Sequence, residues 1–490
     1  MTTLADLLVK PIAAQTAPTD PNVAAFLNDL QANILKGHGR QHTGNMFLSF
    51  QGMQPDAVAG VLRSLGNSCT SAAQQLLTNK RNPPHLDGGT VRCLFLAAGG
   101  YKALGAKAQM PSEPSFANGM EASGTVLNDP PRSAWNQVGW RGRAPDAMFM
   151  VADADDDAVT ADLEQVEGWL NGTGATILVI ERGLQQFREF RPGIKEGVEH
   201  FGYVDGRSQP LFLAQDIALE PKTTWDPVFP PSQFIVADPN GRMPMSAGSF
   251  FVFRKLEQNV RAFNAAETAL GEALFGAGAS QNLLDRSGAM VVGRFEDGTP
   301  LTASCDALAA VPPNDFTYAA DADGGKCPFH AHIRKVNPRG DIERLTGSPD
   351  PAPGRIRIMA RRGITYGADR PHTPDLSDFA DVDTKTEPEK DVGLLFMAYM
   401  ASVKNQFEFT QQSWADNPAF AGNIAPAHPH PPTGIDPVIG QSSVPGDRDH
   451  TYSSPCDPPL APTKVSFGQF VTLQGGDYFF APSLSFLRGL

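Results

Sequence analysis

Apolar residues recur along the chain in two similar series. In the first, residues 45–51 (NMFLSFQ) alternate apolar and polar positions, the two-residue period of a strand. Pro55 and Asp56 then open a helix whose apolar positions Val58, Val61, Leu62 and Leu65 share one face. Residues 91–98 (VRCLFLAA) read as a buried strand and residues 148–152 as another. Acidic residues 155–157 precede a helical pattern through Val159, Leu163, Val166 and Leu170, where negative charge suits a helix N-terminus. Residues 176–180 make a fourth strand. The order β-α-β-β-α-β is the ferredoxin-like pattern. Residues 1–32 read as a tail and a short helix.

The second series runs as a strand at 250–253, a helix through Leu256, Val260 and Phe263, and strands at 355–360 and 394–400. A helix carrying Phe407, Gln411 and Trp414 follows, and strands at 470–473 and 478–480 close the chain. The expected fold class is α+β: two ferredoxin-like halves, residues 1–225 and 226–490, with long loop insertions. No short regular repeat is present. Residues 425–462, rich in Pro, Ser, Gly and His, read as an excursion without a core of its own.

Composition narrows the possible functions. With 490 residues and 41% apolar content the chain can bury sizeable cores. A net charge of −13 without a long basic run argues against nucleic acid or a membrane as the partner, yet leaves room for a local basic pocket. The apolar stretch at 394–403 is too short to span a bilayer. Residues 1–20 lack the basic start, apolar core and cleavage site of a secretory leader, so a cytoplasmic protein is expected. A leader removed before residue 1 would leave the same reading. The five cysteines are odd in number, widely spaced and contain no CxxC, which reads as reduced thiols.

Three stretches carry the candidate chemistry. Residues 327–339 (CPFHAHIRKVNPR) hold two histidines two apart, an apolar approach, and Arg334, Lys335 and Arg339. An imidazole can ligate haem iron and arginines can pair with porphyrin propionates. Taken alone, HxH equally fits a metal pair or ordinary core histidines. Residues 200–210 (HFGYVDGRSQP) place Asp205 between Gly202 and Gly206, at a loop tip that a flat ligand can approach, or in a common Asp-Gly turn. Residues 355–367 (RIRIMARRGITYG) put two arginines at a strand end, either on a solvated edge or as a fixed cation in a dry pocket.

These stretches, with residues 293–301 (GRFEDGTPL), 314–321 (NDFTYAAD), 393–409 (GLLFMAYMASVKNQFEF) and 475–483 (GGDYFFAPS), resemble the dye-decolorizing peroxidases, in particular the longer fungal and bacterial branch. The resemblance runs from about residue 45 to the C-terminus and is densest after Gly202. It implies haem b, one per chain, held mainly by the second half. His332 becomes the proximal iron ligand, Asp205 the distal acid–base and Arg361 the distal arginine. Arg339 would contact a propionate, Leu394 and Phe396 would line the distal face, and Tyr366 would be an electron relay. His330 stands where the family has a small residue and is expected near the site without ligating. The implied partners are hydrogen peroxide and aromatic donors including bulky dyes, in a monomer or homodimer.

The chemistry of the residues supports this reading on its own terms. Breaking peroxide requires a proton to leave one oxygen and reach the other, which a carboxylate can do and an adjacent arginine can assist. Activity is expected at acidic pH, fading as pH rises. A haem carrier with incidental peroxidase activity, or a non-haem protein using His330 with His332 for a metal, are the alternatives. His428 and His430 read either as a metal pair or as part of a solvated Pro-rich loop. Trp135, Trp140, Trp169, Trp225 and Trp414 read as packing residues, and Cys327 as a packed thiol.

Overall fold

In the computed structural model, residues 2–14, 20–81, 88–220, 225–308, 310–367, 387–421 and 432–490 are described. The first series folds as β1 (His42–Ser49), α1 (Pro55–Ser68), β2 (Val91–Leu96), β3 (Ala147–Asp153), α2 (Asp156–Leu170) and β4 (Thr176–Leu184). The strands lie antiparallel in the order β4-β1-β3-β2. Helix α1 buries Val58, Val61, Leu62 and Leu65, the stripe its spacing requires. Helix α2 begins at Asp155, whose side chain accepts the Asp157 N–H, satisfying a donor that the helix itself cannot. Strand β1 alternates in sequence, yet residues 43–49 are all buried. One face lies under α2, and the other packs Phe47 against Trp140 and Phe253 at 4.5 and 4.8 Å between ring centroids.

The second series repeats the plan with β5 (Ala247–Gln258), α3 (Val260–Phe275), β6 (Ile364–Tyr366), β7 (Gly393–Met400), helical turns over residues 404–415 and β8 (Val471–Ala481). Its order, β8-β5-β7-β6, matches that of the first half. Phe480 of β8 pairs with Leu96 of β2, so the halves share one ten-stranded sheet that also takes in the short strands Val236–Ala237 and Ala360–Arg361.

Several expectations need correction. Residues 355–360 are not a strand. Ala352–Arg355 is a helical turn, and Arg355 lies 4.0 Å from the centroid of the Phe229 ring, so pairing begins only at Ala360. Leu256 belongs to β5, because the helix starts only after Asn259, whose side chain caps the Ala262 N–H. The two closing strands are one strand, bulged between Leu473 and Gly475. The Pro-rich excursion contains a hairpin, Asp449–Ser454 with Leu460–Ser466, and sends Ile435 and Tyr452 into the interior. Cys305 and Cys456 form a disulfide with Cα atoms 5.8 Å apart, so not all the thiols are reduced; Cys69, Cys93 and Cys327 are free and buried. Trp169 is 40% exposed and is no packing residue, unlike the other four tryptophans.

Candidate active site

A cavity of about 630 Å³ opens against the second half, a volume typical of cofactor sites. Alternate residues of three neighbouring strands form one wall: Arg254, Leu256 and Gln258 of β5, Leu394 and Phe396 of β7, and Val471 and Leu473 of β8. Strand periodicity turns these side chains to the same face.

His332 begins helix α4 (His332–Val336) and lines the cavity with its side chain 22% exposed. Its Nδ1 lies 2.8 Å from Oδ2 of Asp436, which is fully buried. Oδ1 of that carboxylate accepts the Val438 and Ile439 N–H groups at 2.8 and 3.0 Å. Burial pushes the Asp436 carboxyl up, but His332 and the donated N–H groups outweigh it and hold the group below its ordinary value. With the proton on Nδ1 facing Asp436, Nε2 keeps its lone pair, the form that ligates a metal.

Two buried arginines lie on the same cavity. Arg339 sits between the rings of Trp225 and Phe316, 4.2 and 4.1 Å from their centroids, and donates to the Asn314 and Phe316 carbonyls. Arg294 donates to the Gly298 carbonyl and the Asn314 side chain. Burial pushes Arg339 down to about 9 and Arg294 down to about 10. Among the described residues neither has a carboxylate at ion-pair distance, so each is a desolvated cation held by neutral acceptors alone. A ligand carrying carboxylates would relieve that cost. The lone pair of His332 and these two cations therefore fit haem, with its iron and its propionates. The other cations of the motif are committed to the fold. Arg334 is fully buried between Asp321 and Asp341, and Lys335 donates to the Asn417 and Phe420 carbonyls.

Asp205 reaches the cavity from a loop that Gly202 (φ +102°) and Gly206 (φ +80°) bend through conformations natural to glycine. The loop is tied down by Asp205 N–H to the Gly197 carbonyl and Val204 N–H to the Glu296 carbonyl, both 3.0 Å. Nη1 of Arg361 lies 3.6 Å from Oδ1 of Asp205, and its Nη2 donates to the Arg207 carbonyl at 2.7 Å. Both side chains are about one-third exposed, 35% for Asp205 and 36% for Arg361, so the pair faces the cavity.

Glu199 stands on the same wall, with its carboxylate accepting from Phe201 N–H, Tyr203 N–H and the Gln258 side chain. Burial pushes it up to about 7, against those hydrogen bonds.

The other candidates fall outside the cavity wall. Tyr366 is 5% exposed, its ring 4.7 Å below the Lys255 ammonium and its carbonyl 2.8 Å from His200 Nε2. All seven tyrosines are buried, so none offers its ring to a surface-bound dye directly. His330 does not line the cavity; it packs against His450 and Tyr452, each at 4.7 Å between ring centroids, and His450 in turn lies 2.9 Å from the Ile435 carbonyl beside Asp436. Cys327 is buried, its thiol pushed up to about 12. His428 and His430 lie outside the described residues. Among the described residues no group of three His, Cys, Asp or Glu side chains is placed to hold a metal ion.

The sequence reading passed over four contributors: Asp436, Arg294, Glu199 and residues 33–40 (NILKGHGR), all on the cavity or behind His332. The last carried a visible signal, since Gly37 and Gly39 flank His38 between Lys36 and Arg40. Asp436 carried none, lying in a Pro-rich loop more than a hundred residues from its partner.

No family model matches the chain. It is 42% identical to the multifunctional dye peroxidase DyP2 of an Amycolatopsis species, over 95% of this chain and 96% of that protein. Peroxidase 2 of Mycetinis scorodonius is 31% identical over 98% of this chain and 90% of its own length. Among solved structures, Amycolatopsis DyP2 superposes with a TM-score of 0.86 at 40% identity, covering 99% of this chain and 100% of that one. An Anabaena DyP-type peroxidase gives 0.85 at 34% identity, covering 100% and 99%. Two ferredoxin-like halves around one large cavity are thus the architecture of a peroxidase. The chain belongs to the dye-decolorizing peroxidases.

Among the described residues no helix is long and apolar enough to cross a membrane.

Proposed function

We propose that the chain binds one haem b and uses it to reduce hydrogen peroxide while oxidising dyes, phenols and other aromatic donors by single electrons. The observation that carries this reading is the pairing on one cavity of His332 with Asp436 and of Asp205 with Arg361. Bound haem would supply the iron that takes up the two oxidising equivalents of peroxide and passes them on. His332 would hold that iron through Nε2, with Asp436 fixing the ring and raising its basicity. Arg339, joined by Arg294, would hold the propionates, and Leu394 and Phe396 would keep the distal face apolar. Asp205 would take a proton from one peroxide oxygen and return it to the other, while Arg361 stabilises the charge on the departing oxygen. Over the cycle, peroxide with two electrons and two protons becomes two waters, each donor giving one electron.

The test is the absorption spectrum of the haem-loaded protein before and after one equivalent of peroxide, in wild type and Asp205→Asn. A fast peroxide-induced spectral change that slows about 10²–10⁴-fold in the variant supports the role of Asp205. A spectrum that peroxide only bleaches favours a haem carrier, and no haem spectrum after loading removes the assignment of His332.

Tyr366 is the proposed relay for donors too large to enter, reached by a short hop from the surface because its ring is buried. Tyr366→Phe should slow a bulky anthraquinone dye far more than a small phenol, and equal effects would end the relay. The halves are proposed to divide at residues 225 and 226, in a monomer or homodimer. For the compartment, the N-terminal sequence reads as cytoplasmic while the Cys305–Cys456 disulfide favours an oxidising location.

A further inference from the structure

Asp205 and Arg361 are held in two different ways. Arg361 stands on a paired strand, opposite Ala398 of β7, so the sheet fixes its backbone. Asp205 lies in a loop, outside any strand or helix. Its carboxylate accepts the N–H of adjacent Gly206 and faces Arg361, so its place depends on how the loop backbone is held.

Most of that hold converges on one residue, Glu199. The N–H groups of Phe201, Gly202 and Tyr203 all end on it: Phe201 on Oε2 at 2.8 Å, Gly202 on the main-chain carbonyl at 3.0 Å and Tyr203 on Oε1 at 3.0 Å. In return the Glu199 N–H donates to the Tyr203 carbonyl at 3.1 Å. From β5 the Gln258 side chain donates to Oε2, which ties the turn to the sheet. The turn ends two residues before Asp205. Burial, and then the charge of Asp205, hold the Glu199 carboxyl up at about 7, so the two acids lie within each other's field. The fork uses both carboxyl oxygens, each for a different backbone N–H. A carboxamide there would set its own NH₂ group against one of those donors.

We propose that Glu199 is a positioning residue: through the turn over residues 199–203, its carboxyl sets Asp205 beside Arg361. The inference rests on the peroxidase reading, in which Asp205 moves the peroxide proton, and adds the group on which the placement of Asp205 depends. Without the carboxyl, the Phe201 and Tyr203 N–H groups lose their acceptors, and the turn must open to find water for them. Asp205 moves with the turn while Arg361 stays with the sheet, so the pair separates. Catalysis is sensitive to such a shift, since a misplacement of about 1 Å can cost on the order of 10²-fold in rate.

The experiment takes two readouts on the haem-loaded full chain. The first is amide hydrogen exchange of residues 200–206, followed by mass spectrometry without peroxide. Glu199→Gln should speed exchange of that segment about tenfold and Glu199→Ala further, with β1 and α1 unchanged. The second is the rate of the peroxide-induced spectral change. Glu199→Ala should slow it about 10–100-fold and Glu199→Gln about threefold to tenfold. In an Asp205→Asn background either substitution should slow it by less than about twofold, because the group being positioned is gone. Equal losses in both backgrounds, no loss in either, or unchanged exchange of residues 200–206 overturns the positioning role. Faster exchange across the whole chain also overturns it, since the carboxyl would then serve the fold alone. Glu199→Gln keeps the shape of the side chain and decides the matter if Glu199→Ala does not fold. A wild-type rate in Asp205→Asn alone would count against the peroxidase role of Asp205, while the exchange readout would still decide whether Glu199 holds the turn.

Discussion

The two halves share one strand order and differ in what hangs from it. In the first, β1 and β2 are joined through α1 and a short helical segment. In the second, the corresponding connection from β5 to β6 carries the segment with His332, Arg339 and the Asp321–Arg334–Asp341 network. The connection from β7 to β8 carries Asp436 and the 449–466 hairpin. The same framework therefore carries shorter connections at these places in one half and, in the other, the long ones that bring His332 and Asp436 together at the cavity. Loops can be lengthened without disturbing sheet register, so chemistry accumulates in them while the sheet supplies rigidity.

Substitutions in the two halves should separate these tasks. His332→Ala should have the largest effect: the haem spectrum should be lost or become that of loosely held haem, and the peroxide reaction should fall by at least about 10³-fold, read by stopped-flow absorption. Asp436→Asn should come next, with haem transfer to a haem acceptor protein accelerated about 10–100-fold. Retention equal to wild type would mean that the carboxylate does not brace the ligand.

Leu163→Ala tests the first half. Leu163 is buried, and its Cδ1 occupies the space that a Cβ on Gly44 would need, so helix and strand are in close contact there. The loss should be about 2–5 kcal/mol in denaturant unfolding, with turnover per folded haem unchanged. Cys305→Ser should cost about 2–4 kcal/mol, because the disulfide closes a loop that contains both His332 and Asp436. Its effect should appear in haem retention as well as in unfolding.

The smallest effect concerns pH. The Glu199 carboxyl is raised to about 7 in the folded chain, so the folded state holds a proton that the unfolded state releases near pH 4.5. The folded state thus loses stability as pH rises from about 4.5 to 7. Glu199 borders the cavity, which screens the effect to about 1 kcal/mol. Glu199→Gln should flatten that part of the stability profile in melts at pH 4.5, 6 and 7.5. An unchanged slope would show that other groups set it.

The strands and helices were most legible where one face meets a helix, as in α1 with Val58, Val61, Leu62 and Leu65. They were least legible at residues 355–360, where Arg355 stacks on Phe229 and donates to loop carbonyls in place of strand pairing. The dense motifs made Asp205, His332 and Arg361 nameable in advance, because glycines and arginines in fixed order leave few other uses. Cys305 and Cys456 lie far apart in sequence, and only the meeting of two loops makes them partners.

By itself the sequence determined the two-fold α+β plan, the acidic exterior with room for a basic pocket, and the residue types from which the chemistry is built. Those properties follow from local periodicity, composition and short motifs, which act over a few residues. Only the tertiary structure decided that Asp436 stands behind His332, that Arg334 is committed to the fold while Arg294 faces the cavity, and that Lys36 and Arg362, far apart in the chain, line the same cavity. Each of these depends on distant segments crossing in space, where burial, hydrogen-bond satisfaction and charge pairing are settled jointly and leave no periodic trace along the chain.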